Sequence, residues 1–132
     1  MATENKFVRA LGITAIWLVT VLVALVFGTQ GWSKFFSNSF WAVAFEHWGY
    51  PVWFRLLIGV AECAVAVLIL VPRLAAYGAS LAIAIMLGGI VTKVRAGDVR
   101  QIKAEIVWIV MAGIVLVVRR RAAARLAANT QA

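Results

Sequence analysis

Three observations predict an all-α, polytopic membrane protein, an antiparallel four-helix transmembrane bundle with an aromatic interfacial segment between spans one and two. The first is bulk composition. The 132 residues are 64% hydrophobic and only 14% charged, with a mean hydropathy of +0.97, which would leave a soluble domain of this size with a largely apolar surface. The second is a set of four apolar runs, each long enough to cross a bilayer core of about 30 Å at 1.5 Å per residue. The third is the crowding of Trp32, Phe35, Phe36, Phe40, Trp41, Phe45, Trp48, Tyr50, Trp53 and Phe54 into one stretch. Amphipathic aromatic rings concentrate at the membrane–water boundary, so this belt marks where the chain meets the interface.

Span one covers about residues 11–28 and lies within an uncharged stretch. Gly28 and Gly31 loosen its end. The interfacial or re-entrant segment, 32–48, interleaves its aromatics with Lys34, Ser37, Asn38, Ser39, Glu46 and His47, a pattern for short helices lying in the interface or tucked against the bundle. Gly49, Tyr50 and Pro51 punctuate the chain, and proline at a helix start sacrifices no hydrogen bond. Span two, about 52–71, carries Arg55 near its mouth and Glu62 near its middle. Pro72 and Arg73 make a minimal turn, which forces span three, about 74–92, to return antiparallel beside span two. Span three is rich in small residues (Ala75, Ala76, Gly78, Ala79, Ala82, Gly88, Gly89) that permit close helix approach in lipid. A polar stretch from Lys93 to Lys103 reads as a loop, with Lys93, Arg95, Arg100 and Lys103 as solvated headgroup contacts. Span four, about 104–118, has Glu105 in its first turn, where a negative charge suits the helix dipole. Arg119, Arg120, Arg121 and Arg125 follow in an alanine-rich tail. Residues 1–132 read as a single membrane domain, with the first apolar run retained and not cleaved as a signal peptide.

The formal charge of +8 lies at the edges of the apolar runs, as topology determinants do, so it does not point to nucleic acid. Lys6, Arg9, Arg73, Arg119, Arg120, Arg121 and Arg125 fall on the side of the termini, against Lys93, Arg95, Arg100 and Lys103 on the other, which favours both termini in the cytoplasm. Cys63 and His47 are each the only residue of their type. An internal disulfide, a CxxC redox pair, a thiolate cluster and haem held between two histidines of one chain are thereby excluded. No metal-ligand spacing, phosphate loop or hydrolase triad occurs, and no catalytic residue is assigned.

An acid at the centre of a span costs roughly 2.5–3.5 kcal/mol on insertion scales, so Glu62 requires a partner, a wet cavity or a proton. Lys34, Arg55 and Glu62 form the candidate polar pocket, and Trp32, Tyr50 and Trp53 its candidate wall. The competing reading makes Glu62 a paired or protonated packing residue and the aromatics simple interfacial anchors.

Gly31-Trp32-Ser33-Lys34-Phe35 after span one, Gly49-Tyr50-Pro51, Gly59-x-x-Glu62, Pro72-Arg73-Leu74-Ala75-Ala76 and Met86 resemble the DoxX and DoxX-like membrane proteins. The likeness runs from about Leu11 to Thr92, with the fourth span similar in hydropathy only. Gly31, Lys34, Gly49, Pro51, Gly59 and Glu62 are the family-type positions. The resemblance implies a small four-helix protein of the bacterial cell inner membrane. Some members of that family are subunits of a thiosulfate:quinone oxidoreductase, some belong to membrane redox-stress complexes, and distant animal relatives assist receptor assembly. The absence of a cysteine pair here argues against thiol-based redox chemistry.

Three functions are weighed. The first is an accessory or partner-binding subunit with a small polar pocket at the interface and no catalytic activity of its own. The second is the membrane subunit of a quinone-reducing oxidoreductase, in which Lys34 and Glu62 polarise or protonate a quinone oxygen between Trp32, Trp53 and Tyr50. Quinone is the one cofactor considered, and electrons would have to come from a redox subunit. The third is a small multidrug transporter, placed last because span one carries no acid. The expected partners are the lipid bilayer, a protein or redox subunit, and a second copy packed through the small residues of span three; nucleic acid is not among them.

Overall fold

A computed structural model describes residues 2–131. The described residues contain five α-helices and no strand: α1 (Ala2–Ser33), α2 (Phe40–His47), α3 (Val52–Leu70), α4 (Ala75–Ala96) and α5 (Lys103–Gln131), with one 3-10 turn at Val99–Gln101. Four of them, α1, α3, α4 and α5, are long and apolar enough to cross a membrane. The chain is therefore an all-α polytopic bundle. These four helices run up and down in turn. α1 packs on α3, α3 on α4, α4 on α5, and α5 returns to α1 to close the ring.

The helices of the first, third and fourth spans run past the C-terminal ends expected from the sequence. α1 continues through Gly28 and Gly31 to Ser33, and neither glycine is a break: Gly31 sits in a close contact with α3, and Gly28 faces Ala66 at ordinary packing distance. A side chain at Gly31 would lie 2.8 Å from the Gly59 carbonyl, and one at Gly59 would lie 3.0 Å from the Gly31 carbonyl. Only hydrogen fits between the two backbones. α4 likewise extends past Thr92 to Ala96, so Lys93 and Arg95 are helical. α5 continues through the arginines to Gln131.

Two glycines in left-handed conformation end helices at the same end of the bundle, Gly49 (φ 81°) after α2 and Gly97 (φ 83°) after α4. In both, the amide beyond the glycine reaches back to the helix: Tyr50 donates to the Phe45 carbonyl at 2.9 Å and Asp98 to the Lys93 carbonyl at 2.8 Å. This is the Schellman closure that glycine favours. Ser39 caps the other end of α2 by accepting from the Ala42 amide.

The apolar core is small and joins Val23 and Phe27 of α1, Val65 and Ile69 of α3, and Ala112 and Val115 of α5. The small residues in the first half of α4 are largely used inside the chain. Ala75, Gly78, Ala79 and Ala82 are buried, and a side chain at Gly78 would meet the Ile69 amide at 2.8 Å. That contact holds the hairpin turned at Pro72 together.

Candidate functional site

On α3 the buried positions Arg55, Gly59, Glu62, Val65 and Ile69 recur every three or four residues and form one stripe facing α1 and the bundle interior. Gly59 lets α1 come close, and this brings Lys34, just past the end of α1, over Glu62. The Lys34 ammonium donates to Glu62 Oε2 at 2.6 Å, with both residues at least 97% buried. The same ammonium lies 3.8 Å from the centroid of the Trp41 ring on α2. A lysine taken from water is thus held by a carboxylate on one side and an aromatic face on the other.

A second buried pair lies across the bundle. Lys93 of α4 donates to Glu105 of α5 and, at 3.1 Å, to the Gln101 carbonyl in the connecting turn. Neither was expected. Lys93 stands in what reads as a polar loop, and Glu105 in what reads as a first-turn dipole partner. The signal that could have revealed them is Gly97, which as a helix-closing glycine makes Lys93 helical. Lys93 and Glu105 then flank the 3-10 turn from the two helices it joins and face each other.

Between the two pairs is a cavity of about 560 Å³, bounded by Lys34, Glu62, Lys93 and Glu105 and walled by Trp41, Phe45, Trp48, Tyr50 and Phe54. A smaller pocket of about 110 Å³ adjoins the same space and shares Trp41, Glu62, Met86, Lys93 and Glu105 with it. The lining includes the exposed Leu57, Gly88 and Val91, so the cavity opens between α3 and α4 toward lipid. Two lysines face two glutamates, leaving no net charge. Glu105 Oε2 is buried without a hydrogen-bond partner and is left as a free acceptor.

The aromatics divide into two sets. Phe45 is buried at the centre of the inner set, with ring centroids 5.5 Å from Trp48, 5.8 Å from Tyr50 and 6.2 Å from Phe54. Tyr50 shares a hydrogen bond of 2.7 Å with the Thr92 hydroxyl, and Trp48 Nε1 makes a long 3.5 Å contact to Asp98. The turn after α2 is thereby tied to the end of α4. Trp32 and Trp53, in contrast, are 64% and 66% exposed and stand outside the cavity lining. Exposed with Phe35, Phe36 and Phe40, they belong to the outer, membrane-facing surface.

Of the expected polar residues, the structure brings Lys34 and Glu62 together and leaves Arg55 apart. Arg55 shares the face of Glu62 and is buried, but its Nε has no partner. The glycine-tyrosine-proline run acquires a structural account: Gly49 reverses the chain, Tyr50 reaches Thr92, and Pro51 stands at the N-cap of α3. Among the described residues no group of three or more His, Cys, Asp or Glu is placed to hold a metal ion.

No curated protein and no solved structure matches the chain. A family model does. Residues 18–116 match that of the DoxX-like family, and the matched span contains both ion pairs and every residue lining the cavity. This multi-pass membrane protein belongs to the DoxX-like family.

Proposed function

We propose that the protein is an accessory membrane subunit that holds a small amphiphile in the cavity between its two ion pairs and presents it to a partner protein. The observation that carries this reading is the pairing of an apolar, aromatic-walled space, open toward lipid, with a net-neutral floor that offers both donors and an unused acceptor. Binding sites for small molecules have this form, mostly apolar walls with a few placed polar groups. An uncharged polar head suits the floor best, because a net charge would meet equal numbers of lysines and glutamates. Four of the small residues of α4, Ala75, Gly78, Ala79 and Ala82, are buried within the chain, so we favour a different protein over a second copy as the partner.

A quinone is one such amphiphile and gives the second reading, favoured by the ammonium groups of Lys34 and Lys93 on the cavity boundary. The chain would then be the quinone-binding subunit of an oxidoreductase, with electrons delivered by a redox partner and protons through the lysine–glutamate pairs. We place the protein in a bacterial inner membrane with both termini in the cytoplasm, on the family and on the excess of basic residues at that end.

Purification in a mild detergent, followed by mass spectrometry of the organic extract and of retained subunits, tests these readings. One uncharged amphiphile per chain with a stable protein partner supports the accessory reading. Stoichiometric quinone with a flavin- or iron-containing partner selects the second. A protein free of both ligand and partner contradicts both.

A further inference from the structure

The opposite end of the bundle carries a second unassigned site. Among the described residues both ion pairs belong to lysines, and no arginine pairs with an acid. Where α5 leaves its apolar run, Arg119 and Arg120 face the Pro72–Arg73 turn and the first turns of α4 across a groove of about 770 Å³. Tyr77 and Ser80 add hydroxyls to its lining, and no acidic residue lines it. Arg119 is held in place from behind, with its guanidinium carbon 5.0 Å from the centroid of the Trp17 ring on α1. Its Nε and Nη2 are buried without a hydrogen-bond partner.

We infer that this groove binds the phosphate headgroup of an anionic phospholipid. Three guanidinium groups with no acid among them leave a local positive charge that the chain does not neutralise. Guanidinium forks match phosphate oxygens with paired hydrogen bonds, and stacking on Trp17 orients one fork in advance. The groove also has an apolar side, at Leu116 and Leu126, along which acyl chains can run. Its depth fits as well, since the arginines begin where the apolar part of α5 ends, at headgroup level. Basic clefts between membrane helices take anionic lipids on this principle, each basic residue adding attraction that a zwitterionic headgroup partly cancels with its own ammonium. This site is independent of the cavity at the other end and of any ligand there.

Native mass spectrometry of the full chain, exchanged in detergent against equal amounts of phosphatidylglycerol and phosphatidylcholine, tests it. Wild type retains the anionic lipid in preference by about tenfold or more. Replacing Arg73, Arg119 and Arg120 together by Gln abolishes the preference, whereas Lys6→Gln with Arg121→Gln and Arg125→Gln, the same loss of three charges outside the groove lining, keeps it. Absence of any preference in wild type overturns the assignment whatever the variants do. Equal loss in both variants assigns the effect to bulk charge and overturns it too, and so does displacement of the lipid by excess inorganic phosphate, which would identify a free-anion site.

Discussion

Gly31 and Gly59 face each other across α1 and α3, each carbonyl standing where the other residue's side chain would be, at 2.8 and 3.0 Å. The contact sets the separation of the two helices and with it the reach of Lys34 to Glu62. Lys34 Cβ itself lies 3.2 Å from the position a side chain would take at Gly59. One methyl group at either glycine must therefore push α1 away from α3.

Gly59→Ala and Gly31→Ala are each expected to destabilise the protein by about 1–3 kcal/mol, the usual penalty for overpacking a tight contact. Gly88→Ala, where an added Cβ meets nothing within 4 Å, should cost nothing. Thermal unfolding in detergent compares the three. Equal tolerance at all three positions would contradict the close approach.

The two buried ion pairs predict an asymmetry between single and double substitutions. Glu62→Gln or Lys34→Met alone strands one member of a pair and should cost about 3–5 kcal/mol, and Lys93→Met should do the same at the second pair. Replacing Lys93 and Glu105 together by Met should recover most of that stability while removing polar groups from the cavity floor. Denaturation of single and double variants measures the coupling. Additive losses within a pair would mean that its members do not depend on each other.

How much of this was legible in the sequence follows from where each residue sits relative to a helix end. Glu62 announces itself because an acid inside an apolar run has no other reading, and Lys34 because it follows closely on a span. Lys93 and Glu105 were hidden, since a charge at the edge of a polar run looks solvated unless the helix is known to continue to Gly97. Of the expected aromatic wall Tyr50 lines the cavity and Trp32 and Trp53 do not, for a related reason. Trp32 and Trp53 lie nearest to the spans, but Ser39 and Gly49 delimit a helix on which Trp41 and Phe45, four residues apart, turn inward together with Trp48 just beyond its end. Periodicity within α2, and not proximity to the bilayer, decides which rings line the cavity.

That division of the aromatics predicts opposite behaviour of two tryptophans. Trp41→Leu removes the ring over the Lys34 ammonium and should lower both stability, by about 1–2 kcal/mol, and retention of any copurifying ligand. Trp32→Leu, at an exposed position, should leave ligand retention unchanged. Parallel extraction and quantification of bound amphiphile from the two variants checks this. Loss of ligand in Trp32→Leu with retention in Trp41→Leu would reverse the assignment of inner and outer rings.

Tyr50→Phe removes the only hydroxyl that ties the turn after α2 to Thr92, and is expected to cost about 1 kcal/mol. Amide hydrogen exchange should show the effect confined to residues 40–50 and the end of α4. Uniform loss of protection over the whole bundle would indicate a different role for that hydroxyl.

The central claim is that the space between the two ion pairs is a binding site, and Gly88→Leu tests it most directly. Gly88 lines the cavity at its exposed opening, an added Cβ there meets nothing within 4 Å, and it touches neither pair, so a leucine obstructs the entrance and leaves the fold intact. Mass spectrometry of the extracted proteins should find one amphiphile per wild-type chain and none on the equally stable Gly88→Leu variant. A wild-type chain without ligand, or an obstructed variant that carries as much as wild type, would contradict the account.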